Sequence, residues 1–155
     1  MKLQNPGAPL TRDHLTAFEK KWNISLPEDY AAFLLQNNGG SPEEDYLFDF
    51  FDEVTERKNS STIRDFYKIY PGGERAYDSL DTACDNVWED GSISRDFLLI
   101  ADDPGGNPIC LGIAGENRGQ VCFCSADYED LDTGYLVMSP IAPSFSAFLN
   151  ILYLD

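Results

Sequence analysis

The chain has 155 residues, 43% of them hydrophobic and 13% aromatic, enough to bury one proper core and too few for two domains of ordinary size. Its 27 acidic residues against 11 basic ones give a formal net charge of -16, a surface that repels nucleic-acid phosphates and anionic lipid and attracts a cationic partner. No apolar run has the length of a membrane span, and the N-terminal MKLQNPGAPLTRDH lacks the apolar centre and cleavage site of a secretory leader, so a cytoplasmic address is the expectation.

Thr11 is placed to cap a first helix over Arg12 to Lys21, with Asp13 in its first turn and Leu15, Phe18 and Trp22 at helical spacing. The stretch LPEDYAAFLLQNNGGSP, Leu26 to Pro42, carries both ends of a second helix. Pro27 suits a first turn, where its missing N–H has no partner, and Glu28 and Asp29 face the positive end of the helix dipole. Tyr30, Phe33 and Leu34 make the apolar face. Asn38, Gly39 and Gly40 are expected to close the helix in a left-handed cap before Pro42.

YLFDFF, Tyr46 to Phe51, is short and aromatic and reads as a strand. The following DEVTERKNSS is polar and reads as a loop. Ile63, Phe66, Tyr67 and Tyr70 recur at helical spacing up to the break at Pro71-Gly72-Gly73. A further helix is expected over Ser79 to Glu89, with Leu80, Cys84, Val87 and Trp88 on one face.

The second half is strand-rich. FLLIAD, Phe97 to Asp102, is an apolar run of strand length, DPGGNP is a turn, ICLGI is a strand, AGENRG turns the chain, and QVCFCSA returns it. Three sequential strands joined by short turns make an antiparallel meander. After the acidic DYEDLDTG, Tyr135 to Met138 form another strand, and a last helix starts near Pro143 or Ser144 with Phe145, Phe148, Leu149 and Leu152 as its apolar face. The expected fold is a single α+β domain over residues 1–155, with four to six strands in a mainly antiparallel sheet, mixed pairing left open, packed by N-terminal and C-terminal helices.

Chemistry is sparse. Cys84, Cys110, Cys122 and Cys124 contain no C-x-x-C pair and His14 stands alone, so no zinc spacing is present and buried, unreactive thiols are expected. No serine or cysteine lies in a nucleophile-elbow pattern. The acidic clusters miss the calcium-loop pattern, and DPGGN lacks the lysine and following helix of a phosphate loop. No catalytic residue, metal or cofactor is therefore expected, although carboxylates are numerous enough to leave a hydrolytic acid pair open.

Several landmarks together resemble the SUKH superfamily, the domain shared by the yeast regulator of cell-wall assembly and killer-toxin resistance and by many bacterial immunity proteins. The matching positions are Leu26, Pro27, Asp29, Tyr30, Phe33, Leu34, Asn38, Gly39, Gly40 and Pro42 in the first half. Ile100, Ala101, Asp102, Gly105, Gly106, Asn107 and Gly119 match in the second, and Ser144, Phe145, Phe148 and Leu149 match the closing helix. Residues 53–95 carry no matching motif and are read as a helical insertion.

The resemblance implies an immunity protein that neutralises a polymorphic or contact-dependent toxin, of nuclease or deaminase type, by stoichiometric binding. The acidic surface fits a toxin with a basic active-site groove, with no nucleic acid or membrane as partner. Clustering of acids at loops places the contact surface at Glu43, Glu44 and Asp45, at Asp102 and Asp103, and at Asp127, Glu129, Asp130 and Asp132. Tyr46, Tyr128 and Tyr135 are the neighbouring aromatic anchors. The other reading is an intracellular regulatory or scaffold module for a cell-wall or signalling partner.

Overall fold

The computed structural model describes residues 1–155 and contains four helices and nine strands. Five strands form one antiparallel sheet in the order β5 (Asp65–Phe66), β6 (Phe97–Asp102), β7 (Pro108–Gly112), β8 (Val121–Glu129), β9 (Leu136–Ala142). Every residue of β6 and β7 is buried, which is why those segments read as continuous apolar runs rather than as alternating ones. The expected meander and α+β class are thus present, and all strand pairs are antiparallel.

Helix starts follow the local signals. Thr11 caps α1 (Arg12–Trp22): its Oγ1 accepts the His14 N–H while His14 Nδ1 accepts the Thr11 N–H at 3.0 Å. Ser79 caps α3 (Leu80–Glu89) and Ser144 caps α4 (Phe145–Ile151) without the return bond, each Oγ accepting the N–H three residues on. The core joins these elements through packed phenyl rings, including Phe50 stacked on Phe123 at 4.4 Å and Phe33 edge-on to Phe145 at 4.9 Å.

Three expectations are corrected. The first concerns the end of α2 (Glu28–Gln36), which stops through an extended Asn37 rather than a left-handed cap at Asn38-Gly39-Gly40. Asn38 is instead buried, its Nδ2 donating to the carbonyls of Ala8 and Ile69 at 2.9 and 2.8 Å and its Oδ1 accepting the Ile69 N–H at 2.9 Å. Gly39, at φ +68°, passes so close to the chain that a Cβ would lie 2.6 Å from the carbonyl oxygens of Phe66 and Tyr67. The motif therefore welds the exit of α2 to residues 66–69.

The second correction is that DEVTERKNSS is not all loop. Arg57–Thr62 form β4, paired antiparallel with β3 (Leu47–Asp52) in a hairpin. β4 has no buried residue, so it carries no apolar alternation by which a strand would be recognised.

Third, no helix forms at residues 63–70. Phe66 pairs with Ala101 and the Tyr67 N–H donates to the Ile100 carbonyl, so Ile63, Phe66, Tyr67 and Ile69 are buried along an extended path. Their spacing admits either period, and pairing with β6 decides it. Residues 53–95 accordingly hold two strands and one helix rather than a helical insertion.

On the other side of β5, β1 (Leu3–Gln4) and β2 (Ser41–Pro42) make a short ribbon that bridges to Phe66 through Gly40. At the opposite edge of the sheet, β3 leads into Glu53, whose N–H donates to Ser139 Oγ of β9 at 3.0 Å. The two edges, β5 and β9, are four strand spacings or about 19 Å apart.

Candidate functional site: the arm of β8 and β9 and the cleft beside it

The sequence-predicted acids fall into three separate settings. Glu43, Glu44 and Asp45 are exposed just after β2, on the β5 side, and Glu43 pairs with Lys2 at 3.2 Å. Tyr46 beside them is half-buried, facing an apolar pocket with Phe33 and Leu152.

Asp102 and Asp103 are not offered at the surface: each is only 4% exposed. Asp102 holds the Arg64 guanidinium through two hydrogen bonds and accepts from Tyr67 Oη at 2.9 Å. Burial, with the Asp102 charge beside it, pushes the Tyr67 phenol well above its ordinary range. Asp103 accepts from Ser61 Oγ and from the Asn107 N–H, both at 2.7 Å, and so shapes the turn between β6 and β7. Both carboxylates stitch β4 and β5 to the sheet, which removes them from any contact surface.

Asp127, Tyr128, Glu129, Asp130, Asp132 and Tyr135 do come together. β8 and β9 continue beyond the body of the sheet to the pair Glu129 and Leu136 and make a projecting arm. Its tip is closed by local bonds: the Gly134 N–H donates to the Asp130 carbonyl at 2.8 Å, the Asp130 N–H to that of Tyr135 at 2.7 Å, and the Asp132 N–H to Asp130 Oδ1 at 2.9 Å. Tyr128 is 55% exposed, Tyr135 40% and Leu131 94%. None of the four acids of the arm is in an ion pair.

Beside the arm lies a cleft of about 420 Å³. Phe97, Leu136 and Met138 line it along with Glu53, Asp96, Asp130 and Tyr135. Glu53 and Asp96 have no signature in the sequence, because the packing of β3 on β9 and the turn before β6 bring them in. Leu131 did leave a signal, as a lone large hydrophobe inside an acidic turn.

The residues with reactive potential are absorbed elsewhere. His14 completes the α1 capping box. The four cysteines are free and buried; burial pushes the Cys122 thiol up to about 12 and the Cys84 thiol higher still. No three side chains of histidine, cysteine, aspartate or glutamate are grouped to hold a metal ion. No helix is long and apolar enough to cross a membrane.

A search of curated proteins returned no match. A sequence model of the SMI1 / KNR4 family (SUKH-1) matches residues 9–151, from the residues before α1 to the last residue of α4 and through the 53–95 segment. The match spans nearly the whole fold, and with the Asn38-Gly39-Gly40 weld, the antiparallel sheet and the closing helix it places the chain in the SMI1 / KNR4 family, SUKH-1.

Proposed function

We propose that this protein is an immunity protein that binds a cognate toxin of nuclease or deaminase type in the cytoplasm and blocks it stoichiometrically, without chemistry of its own. Membership of a family whose domain occurs in immunity proteins supports the reading. The observation that carries it is the arm of β8 and β9, where exposed Tyr128, Leu131 and Tyr135 stand among four carboxylates with no ion-pair partner. Aromatic anchors inside a field of one sign suit a tight complex with a basic protein, formed quickly through electrostatic steering.

Co-expression with the toxin encoded beside it tests the proposal. Wild type is expected to restore growth. Reversal of Asp127, Glu129, Asp130 and Asp132 to lysine is expected to weaken the complex by at least about tenfold and to flatten its salt dependence. Failure of wild type to rescue overturns the reading, and rescue unchanged by the reversal removes the arm from it.

A further inference from the structure

A strand covered on one face alternates between buried and exposed residues, and β9 does not. Leu136, Val137 and Met138 are consecutive and all only half-buried, so neither face of this edge strand is fully covered by the rest of the chain. With Phe97 they give the 420 Å³ cleft an apolar floor. Glu53, Asp96 and Asp130 stand at its walls, none in an ion pair, and no lysine, arginine or histidine lines it.

An apolar groove walled by uncompensated carboxylates is complementary to a long aliphatic stem that ends in a cation. Arginine meets it better than lysine. Its planar guanidinium bonds carboxylates in a fixed fork, stacks on an aromatic ring such as Tyr135, and sheds water more readily than an ammonium. We propose that this cleft receives an arginine-led basic and apolar segment of a partner protein, with the stem on Leu136 and Met138 and the guanidinium among Glu53, Asp96 and Asp130. The proposal rests on the reading that the partner is a basic protein, and it deepens that reading by naming the side chain that anchors it.

Nuclear magnetic resonance titration of the full chain tests it, using a capped hexapeptide of arginine and leucine against the same peptide with citrulline. The arginine peptide is expected to shift the amides of Ser94, Asp96, Leu136 and Met138 saturably, and citrulline to bind about tenfold more weakly. Glu53 and Asp96 are exposed, so Glu53→Gln with Asp96→Asn keeps the fold and is expected to lose affinity by about tenfold. Asp13→Asn with Glu74→Gln, both exposed and away from the cleft and the arm, is expected to stay within about twofold at 0.15 M salt, where distant charges are screened.

Absent shifts, equal shifts with citrulline, or shifts centred elsewhere overturn the proposal. The toxin rescue assay on the same variants separates it from the immunity reading. Peptide binding without rescue by wild type overturns the immunity reading and leaves the cleft standing; full rescue by the Glu53→Gln, Asp96→Asn variant overturns the cleft as the toxin's anchor point.

Discussion

At the residue scale, the most informative side chain is Asn38, whose amide substitutes for a piece of strand pairing by bonding both the N–H and the carbonyl of Ile69. Asn38→Ala leaves those buried groups without partners and is expected to cost about 2–4 kcal/mol in urea unfolding. Gly39→Ala adds a Cβ against two carbonyl oxygens at a positive φ, and is expected to destabilise by at least about 2 kcal/mol. The motif's importance was legible in the sequence. Its role was not, because Ile69 lies 31 residues away and local rules for helix ends supply a sufficient account of Asn and Gly without it. The cysteines were legible as buried hydrophobes. All four are expected to stay unreactive toward a thiol reagent in the native state and to react together once the chain is unfolded in urea, and fast labelling of the native protein would contradict their burial.

At the scale of elements, local chemistry set where helices begin and tertiary pairing set where strands run. Thr11, Ser79 and Ser144 each accept a first-turn N–H on the side-chain oxygen, so the starts could be read within a residue or two. Ser144→Ala is expected to cost about 1 kcal/mol by chemical denaturation, with no change in the sheet. The hairpin of β3 and β4 shows the opposite case. β3 was visible through its aromatic residues, yet β4 is wholly polar and exists because β3 offers it a backbone edge. Phe50 anchors the hairpin, buried and stacked on Phe123 at 4.4 Å. Phe50→Ala is expected to lose about 3–5 kcal/mol and to disturb the wall of the cleft that carries Glu53.

For the whole molecule, charge is the dominant variable. Only seven of the 27 acidic residues take part in ion pairs, so unpaired repulsion outweighs paired attraction. Raising salt from about 0.02 to 0.3 M, which shortens the screening length severalfold, is therefore expected to raise Tm. Asp78 is a local exception. Burial pushes its carboxyl up, but hydrogen bonds from Lys68 and Tyr70 outweigh that and hold it below the usual carboxylate value. A lowered folded value means stability that is fully present above the unfolded value of about 3.9 and is lost as pH falls through the folded one. The stability gap between wild type and Asp78→Asn is thus expected to be widest near pH 7 and to shrink below about pH 4.

By itself the sequence determined what short-range physics controls: the helix N-caps, the turns, the apolar runs of β6 and β7, the class of fold and the sign of the surface charge. Only the tertiary structure decided which acids face solvent. Asp102 and Asp103 look identical in sequence to Asp127 and Asp130, yet the first two are buried against Arg64, Ser61 and Asn107 and the others stand on or beside a projecting arm. The physical reason is that a carboxylate's role depends on whether distant segments bring it a donor. The same long-range packing that silences Asp102 places Glu53 and Asp96 at one cleft, 43 positions apart in the chain.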